Sequence, residues 1–349
     1  MTDTPAPHLA DAVKAIARRE TLAPETVEAA IGELLAGEAA PEQVGAFLTG
    51  LAVRGETAAE LIAGARAMRG AARALDVPTG PDAPLLDTCG TGGLPWKSLN
   101  TSTASALVLA ACGARVAKHG NRSVPPKTGS ADVLEALGVN LDMDDGRQML
   151  CLDQAGVTFL YARSHHSAMR HVAPIRARLG IRTLFNLLGP LSNPAAASHQ
   201  VLGVFAAEWV EPMAEALLAL GVERAWVVHG IDGIDEVSIA GETAVCEVRD
   251  GALHRHTVTP EDAGLAPAPL AALEGSGVED NASAILTLLE GQAGPFRDAV
   301  CLNAAAGLVI LDRAPDLKTG AALAAEAIDS GRARATLTAL VNASHGREA

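Results

Sequence analysis

Aromatic residues are scarce in this 349-residue sequence, which has five Phe, three Trp and one Tyr. Its core must therefore be built mainly from Ala, Leu and Val, a composition that favours closely packed helices. Basic residues are also in deficit, with 27 Lys and Arg against 41 Asp and Glu and a formal net charge of −14. This balance argues against nucleic acid as a main partner.

The five cysteines are widely spread, odd in number and form no CxxC pair. This pattern is typical of buried thiols in a reducing cytosol rather than of disulfides or a zinc site. The first residues lack the basic start and apolar core of a signal peptide. No apolar run reaches membrane-spanning length. We therefore expect a cytoplasmic protein without a membrane partner.

The hydrophobic pattern divides the chain in two. Up to about residue 75 the apolar residues repeat at helical spacing, and Thr57 with Glu60 forms a capping-box pattern. A Pro- and Gly-rich linker follows at 76–84, after which short apolar strands alternate with helices. We predict an α/β protein with a small all-helical domain at 1–80 and a larger α/β domain, whose central, mostly parallel sheet is flanked by helices.

Within the α/β part, the pattern predicts individual elements. Strands are expected at 85–86, 115–117 and 225–228, and a hairpin at 245–258. Helices are expected at 102–112, 131–137, 281–289, 298–311 and 319–330.

Two polar segments follow the first of these strands. Gly90, Gly92 and Gly93 lie directly beyond the strand, where glycines let backbone N–H groups approach a ligand closely. Asn100, Thr101, Ser102 and Thr103 open the next helix, and Ser102 could ligate Mg²⁺. Each segment alone is explained by a tight turn or an N-cap. Together they indicate an anion-binding site.

The strongest local signal is the basic segment after the second strand. Lys118, His119, Gly120, Asn121 and Arg122 combine cationic side chains with backbone freedom, and Ser130 follows near a helix start. Such a loop suits a phosphorylated sugar, because backbone N–H groups and cations can share its oxygens. Open α/β sheets bind ligands at the carboxyl ends of their strands, so we expect these loops to form one site.

Further along the chain lie three more candidates. Asp235 and Glu236 follow a predicted strand ending at His229, and their hard oxygens suit Mg²⁺. Arg176 could hold a carboxylate bidentately.

Three histidines, His165, His166 and His171, are close enough in sequence to suggest a metal site. They lack a neighbouring Cys or carboxylate, so hydrogen-bonded structural histidines are favoured over a zinc site.

In order and approximate spacing, these motifs resemble those of the anthranilate phosphoribosyltransferases, and the resemblance covers nearly the whole chain. These enzymes form part of the nucleoside phosphorylase and phosphoribosyltransferase family that has a helical N-terminal domain. It implies Mg²⁺-dependent transfer of phosphoribosyl from phosphoribosyl pyrophosphate to anthranilate, a step of tryptophan biosynthesis. It also implies a homodimer formed by the helical domains, each joined by a hinge to an α/β domain of residues 81–168 and 196–349. The segment at about 169–195 would return to the helical domain.

The resemblance assigns roles to particular residues. Those expected to line the donor site are Gly90, Gly93, Ser98, Asn100, Thr101, Ser102, Thr103, Lys118, His119, Gly120, Asn121, Arg122, Ser123, Val124 and Ser130. Mg²⁺ would be held by Ser102, Asp235 and Glu236. Asn121 and Arg176 would contact and orient anthranilate, and Lys118 would neutralise the leaving pyrophosphate.

The sequence also departs from the family pattern. Leu94 stands where the family has Asp, Pro125 and Pro126 replace small hydroxyl residues, and Arg163 and Ser167 replace prolines. These changes leave two alternatives open. One is a related phosphoribosyltransferase with a different aromatic acceptor, and the other is a catalytically silent homologue that binds a ligand or partner.

Overall fold

The computed structural model describes residues 6–92, 98–122 and 128–347. The chain begins with four helices, α1 (Pro7–Ala17), α2 (Pro24–Ala36), α3 (Pro41–Arg54) and α4 (Ala58–Gly70). The predicted capping box is confirmed, since Glu60 N–H donates to Thr57 Oγ1 and Thr57 N–H donates to Glu60 Oε2. Gly37 ends α2 in the left-handed conformation at φ 76°, where a side chain would be strained.

A seven-stranded sheet forms the centre of the remaining chain. Its strands are β1 (Leu85–Gly90), β2 (Arg115–Gly120), β3 (Val157–Tyr161), β4 (His199–Gly203), β5 (Arg224–Gly230), β6 (Thr243–Arg249) and β7 (Ala252–Val258). The strand order is β3-β2-β1-β4-β5-β6-β7. The first five strands pair in parallel, and β6 and β7 form the predicted antiparallel hairpin. The predicted fold class, with a mostly parallel sheet, is confirmed.

Eleven further α-helices are present among the described residues. They are α5 (Thr101–Ala111), α6 (Ser130–Ala136), α7 (Asp145–Ala155), α8 (Ala162–His165), α9 (Ala173–Leu179), α10 (Leu184–Leu188), α11 (Val210–Ala219), α12 (Val278–Leu289), α13 (Pro295–Ile310), α14 (Leu317–Asp329) and α15 (Arg332–Ser344). The five helices predicted in this part are confirmed to within a few residues. The sequence patterns predicted neither β3 nor β4.

The sheet order places a topological switch point between β1 and β4. From β1 the chain moves outward to β2 and β3, and β4 then pairs with the other side of β1 and leads to β5. Loops that leave such neighbouring strands diverge and open a crevice at their carboxyl ends. A ligand site is therefore expected beyond the ends of β1 and β4.

Buried side chains connect the N-terminal helices to one face of the sheet. One apolar cluster includes residues of α1 to α4, α10 and α11 together with Leu202 of β4 and Val227 of β5. Gly64 of α4 lies against Leu188 at the end of α10, where a Cβ would come within 2.9 Å of a Leu188 methyl carbon. The segment that leads to α10 thus packs on the N-terminal helices, while the domain boundaries at 80, 168 and 195 stay a prediction.

Residues 6–92, 98–122 and 128–347 contain no helix that combines the length and the apolar character needed to cross a membrane.

Candidate active site

A cavity of about 310 Å³ lies at the carboxyl ends of β1, β2, β4 and β5. Each of these four strands ends in a glycine. The predicted site residues that line the cavity are Gly90, Ser98, Asn100, Ser102, Lys118, His119, Gly120, Asn121, Arg122, Ser130, Asp235 and Glu236. The structure thus brings together polar segments that lie as much as 146 residues apart in the sequence.

Close backbone approach explains two of the strand-end glycines. A Cβ on Gly203 would lie 1.6 Å from the carbonyl oxygen of Asp235, which leaves room for no other residue. A Cβ on Gly120 would lie 2.2 Å from Ser130 Oγ. These glycines let the loop with Asp235 and the helix start with Ser130 lie against the strand ends. They therefore set the positions of two sides of the cavity.

Lys118 provides a buried positive charge within this cavity. Its side chain lies on β2 and is 3% exposed. Its ammonium donates to Ser102 Oγ at 3.1 Å and to the carbonyl oxygen of Thr88. Burial lowers the pKa of Lys118, while the negative charge of Asp87 acts against that shift. The ammonium therefore lies at the cavity wall between the ends of β1 and β2. Its neighbour Ser102 can also contact a ligand.

Asp235 and Glu236 add two carboxylates to the cavity lining. Asp235 Oδ2 accepts from Gly92 N–H at 2.7 Å, and Glu236 Oε1 accepts from Ser102 N–H at 3.3 Å. Burial raises the pKa of Asp235. Burial and the neighbouring charge of Asp235 raise the pKa of Glu236 to about 8. Because the two pKa values are raised in the folded protein, ionisation of this pair destabilises the fold once the pH exceeds the pKa values of the unfolded chain. A bound cation would offset that loss of stability.

The start of α5 contributes the hydroxyl and amide groups predicted there. Asn100 is the N-cap residue, but its side chain makes no capping hydrogen bond, contrary to the simple N-cap interpretation. Its backbone N–H instead donates to Asn281 Oδ1 at 2.9 Å, and its own Oδ1 is buried without a partner among the described residues. A buried acceptor without a donor is costly, so this oxygen is suited to accept a hydrogen bond from a ligand. Thr101 and Thr103 are buried and do not line the cavity.

Arg122 lines the cavity with its charge already engaged. Its guanidinium donates to Asp132 at 2.8 Å, to both carboxylate oxygens of Glu135 at 2.8 and 2.9 Å, and to Tyr161 OH at 3.2 Å. Asn121 Oδ1 accepts from the backbone N–H of Arg122 at 2.8 Å. These contacts fix the conformation of Asn121 and Arg122. Of the two cations predicted in this segment, Lys118 is therefore the one placed to act on a ligand.

Arg176 lies apart from the cavity lining, on α9. Its Nη2 donates to Asn186 Oδ1 at 3.1 Å, and its guanidinium carbon lies 5.5 Å from the centre of the Phe185 ring. Its Nε is buried and has no partner among the described residues. Burial lowers the pKa of Arg176. The guanidinium therefore keeps one buried donor available for an anionic group.

The neighbouring histidines make hydrogen bonds within the protein. His165 contacts the carbonyl oxygen of Arg73 at 2.7 Å and Gln148 Nε2 at 2.9 Å. His166 contacts the carbonyl oxygen of Ser192 at 3.0 Å, and burial lowers its pKa to about 4. These contacts support the interpretation of His165 and His166 as structural residues.

Several predicted positions lie outside the described residues. They are the ligand-binding candidates Gly93, Ser123 and Val124 and the departures Leu94, Pro125 and Pro126. Arg163 and Ser167, the other two departures, are exposed and do not line the cavity.

Sequence reasoning missed two residues that shape the site. Asp87, fully buried on β1, accepts from His119 N–H at 3.0 Å and from Asn193 Nδ2 at 2.8 Å, which joins the ends of β1 and β2. Asn303 lines the cavity, and its amide pairs with both backbone groups of Val237, next to Glu236. Both Asp87 and Asn303 stand within apolar segments, and an isolated polar residue in such a segment was the available signal.

Comparison with known proteins identifies two family models along the chain. Residues 10–72 match the helical bundle domain of a glycosyl transferase family, and residues 82–334 match the a/b domain of the same family. The anthranilate phosphoribosyltransferase of Hyphomonas neptunium is 63% identical over 333 residues, covering 95% of this chain and 96% of the relative.

Solved structures agree with this relationship. The crystal structure of anthranilate phosphoribosyltransferase from Thermus thermophilus matches with a TM-score of 0.89 and 49% identity, over 96% of this chain and 99% of the other. The Saccharomyces cerevisiae enzyme in complex with phosphoribosyl pyrophosphate and Mg matches with a TM-score of 0.89 and 27% identity, over 97% and 98% of the two chains.

Proposed function

This chain belongs to the anthranilate phosphoribosyltransferase family, and from this premise we propose that it transfers phosphoribosyl from phosphoribosyl pyrophosphate to the amine of anthranilate. The products are N-(5-phosphoribosyl)anthranilate and pyrophosphate, in the pathway to tryptophan. The observation that carries this proposal is the cavity at the strand ends. It brings the buried ammonium of Lys118 and the carboxylates of Asp235 and Glu236 into one lining, in which Ser102 accepts from Lys118 through its hydroxyl and donates to Glu236 through its backbone N–H. Phosphoribosyl pyrophosphate with bound Mg²⁺ carries both negative oxygens and a cation, so its site needs protein groups of both charges.

The residues present fit Mg²⁺ as the cofactor. Asp235 and Glu236 are buried carboxylates whose raised pKa values reflect burial and, for Glu236, repulsion by its neighbour. Among the described residues no group of three or more His, Cys, Asp or Glu could hold a metal by itself. Two carboxylates with the Ser102 hydroxyl suit Mg²⁺, which usually keeps water and takes further oxygens from substrate phosphates. When bound, Mg²⁺ supplies positive charge to the pyrophosphate oxygens.

Transfer breaks one bond and forms one at the same carbon. Pyrophosphate leaves C1 of the ribose with the electron pair of the C1–O bond, and the anthranilate nitrogen donates its lone pair to C1. The proton released from the nitrogen passes to water or to pyrophosphate oxygens. Lys118 stabilises the negative charge that grows on the leaving oxygens, and it does so in a buried setting where a fixed charge acts strongly.

Acceptor binding rests on Arg176 and Asn121. A guanidinium can hold the anthranilate carboxylate by two hydrogen bonds and so fix the direction of the amine. An aromatic amine is already nucleophilic, so orientation supplies much of the remaining rate. Because Arg176 lies off the cavity lining, we propose that hinge closure brings α9 toward the strand ends and excludes water from the activated sugar.

Loss of anthranilate fluorescence in the presence of phosphoribosyl pyrophosphate and Mg²⁺ tests this function. We expect a rapid decrease that requires all three components. If anthranilate persists while calorimetry detects donor binding, the protein uses a different acceptor. If neither substrate binds, the chain is a silent homologue and the proposal is wrong.

Arg176→Ala is expected to raise the KM for anthranilate by about 10- to 100-fold, because a charged hydrogen-bond donor is lost. The KM for phosphoribosyl pyrophosphate should change little. Arg178→Ala is the matched control, since Arg178 lies exposed on the same helix. Equal increases in both KM values would contradict an acceptor role for Arg176.

Asp235→Asn and Glu236→Gln are each expected to raise the Mg²⁺ concentration needed for half-maximal rate by about tenfold or more. The reason is that each change removes one negative charge from the metal side of the cavity. A titration of initial rate against Mg²⁺ measures the effect. Glu242→Gln serves as the control, because Glu242 is exposed and lies between β5 and β6 like the two candidates. Unaltered Mg²⁺ dependence in both variants would remove these residues from the metal site.

The family likeness also supports a homodimer formed through the helical part and a cytoplasmic location. Light scattering of the purified protein should give the mass of two chains. A single-chain mass at micromolar concentration would contradict the dimer.

A further inference from the structure

Arg182 makes an aromatic contact that the mechanism above does not use. It lies in the loop between α9 and α10, and its guanidinium carbon sits 4.0 Å from the centre of the Phe205 ring. Phe205 follows β4, and its ring also contacts Trp209 at a centroid distance of 6.4 Å. The contact therefore joins a loop that packs with the N-terminal helices to a loop at the carboxyl end of the sheet.

Phe205 is fixed on the donor side by hydrogen bonds to the glycine loop. Its backbone N–H donates to Thr91 Oγ1 at 2.9 Å, and Thr91 N–H donates to the carbonyl oxygen of Gly203 at 2.9 Å. Gly92, next in the chain, donates to Asp235 at 2.7 Å. Hydrogen bonds of Thr91 and Gly92 therefore connect Phe205, on which Arg182 stacks, to Asp235, one of the candidate metal ligands.

Arg182 is linked to the acceptor arginine through its neighbour Thr183 and through Asn186. Asn186 Oδ1 accepts from Thr183 N–H at 3.0 Å and from Arg176 Nη2 at 3.1 Å. Thr183 follows Arg182 in the chain. The Asn186 oxygen therefore links the guanidinium of Arg176 to the backbone next to Arg182. A continuous series therefore runs from Arg176 through Asn186 and Thr183 to Arg182, which stacks on Phe205.

We propose that Arg182 is a positioning residue for the transfer reaction, which holds the Arg176 segment in register over the donor loops by stacking on Phe205. This inference rests on the proposed function, because it concerns how that reaction's acceptor is placed. A guanidinium stacks on an aromatic face through both charge and flat shape, so it fixes distance while permitting sliding. That property suits a contact between two parts of a chain that must approach each other.

The test is a double-mutant cycle in the full-length protein. Arg182→Ala should raise the KM for anthranilate by about two- to fivefold, the range for loss of one exposed cation–aromatic contact. The KM for phosphoribosyl pyrophosphate should rise by less than the KM for anthranilate. In the Arg176→Ala background the same change should alter the anthranilate KM by less than about 1.5-fold, because Arg182 acts through Arg176. Independent, multiplying effects would overturn the proposal.

Variants of the ring separate stacking from general packing. Phe205→Tyr and Phe205→Trp retain an aromatic face and should keep the anthranilate KM near that of the wild type. Phe205→Leu should reproduce the effect of Arg182→Ala. A Phe205→Leu protein with wild-type KM values would overturn the proposal. Equal losses in all three ring variants would also overturn it, since they would indicate packing alone.

Wild-type protein assayed in parallel keeps the two hypotheses distinguishable. If the wild type consumes no anthranilate, the proposed function fails whatever the variants do. If the wild type is active and Arg182→Ala matches it, the function stands and the positioning role is wrong. Arg178→Ala again controls for removal of a positive charge from this segment.

Discussion

Lys118→Met is expected to lower kcat by about 100- to 1,000-fold, the usual effect of removing one preorganised group that stabilises transition-state charge. Lys118 is 3% exposed, and its ammonium reaches the cavity between Thr88 and Ser102. Methionine keeps most of the volume of the lysine stem and removes the charge. Because the charge matters most when the C1–O bond breaks, the effect should fall on kcat more than on either KM.

Lys318→Met is the control for this change, since Lys318 is exposed on α14. Thermal unfolding of both variants must be measured, because Asp87 loses a nearby positive charge when Lys118 is replaced. A folded Lys118→Met protein with near wild-type kcat would show that the ammonium does not stabilise the leaving group.

Gly203→Ala is expected to be the most disruptive small substitution at the site. The added Cβ would lie 1.6 Å from the carbonyl oxygen of Asp235, a backbone atom that cannot rotate away. Either β4 or the loop that carries Asp235 and Glu236 must shift. We expect a loss of about 3 kcal/mol or more in the free energy of unfolding, the upper range for overpacking, together with a raised Mg²⁺ requirement in the protein that still folds.

Gly45→Ala provides the opposite case within the same chain. Gly45 lies within α3, and an added Cβ would meet nothing within 4 Å. Alanine there should stabilise the protein by about 0.5 to 1 kcal/mol, because it reduces the freedom of the unfolded chain. Denaturant unfolding of the two variants measures both effects. Similar stabilities for them would contradict the close approach of Gly203 to the Asp235 loop.

Much of the fold could be predicted because its signals are local. The capping pair Thr57 and Glu60 and the glycine that ends α2 act through neighbours in the chain. Strand β4 was missed because it begins with His199 and Gln200, which do not read as apolar. Gln200 is buried because its amide donates to the carbonyl oxygen of Pro190, a partner fixed only by the tertiary fold.

The candidate site divides in the same way. Loops rich in glycine, hydroxyls and cations could be recognised after their strands, and the topology brings their ends together. The sequence could not tell that the charge of Arg122 is taken up by Asp132 and Glu135, or that Arg176 lies off the cavity lining. Asp87 and Asn303 were missed because their roles depend on partners distant in sequence.

The most direct measurement counts pyrophosphate released against anthranilate consumed in one sample with Mg²⁺. If a single cavity at the strand ends joins donor and acceptor as proposed, the two amounts are equal, and pyrophosphate release nearly stops when anthranilate is left out. Steady pyrophosphate release without loss of anthranilate would contradict the account, because the bound donor would then react with water or with another acceptor.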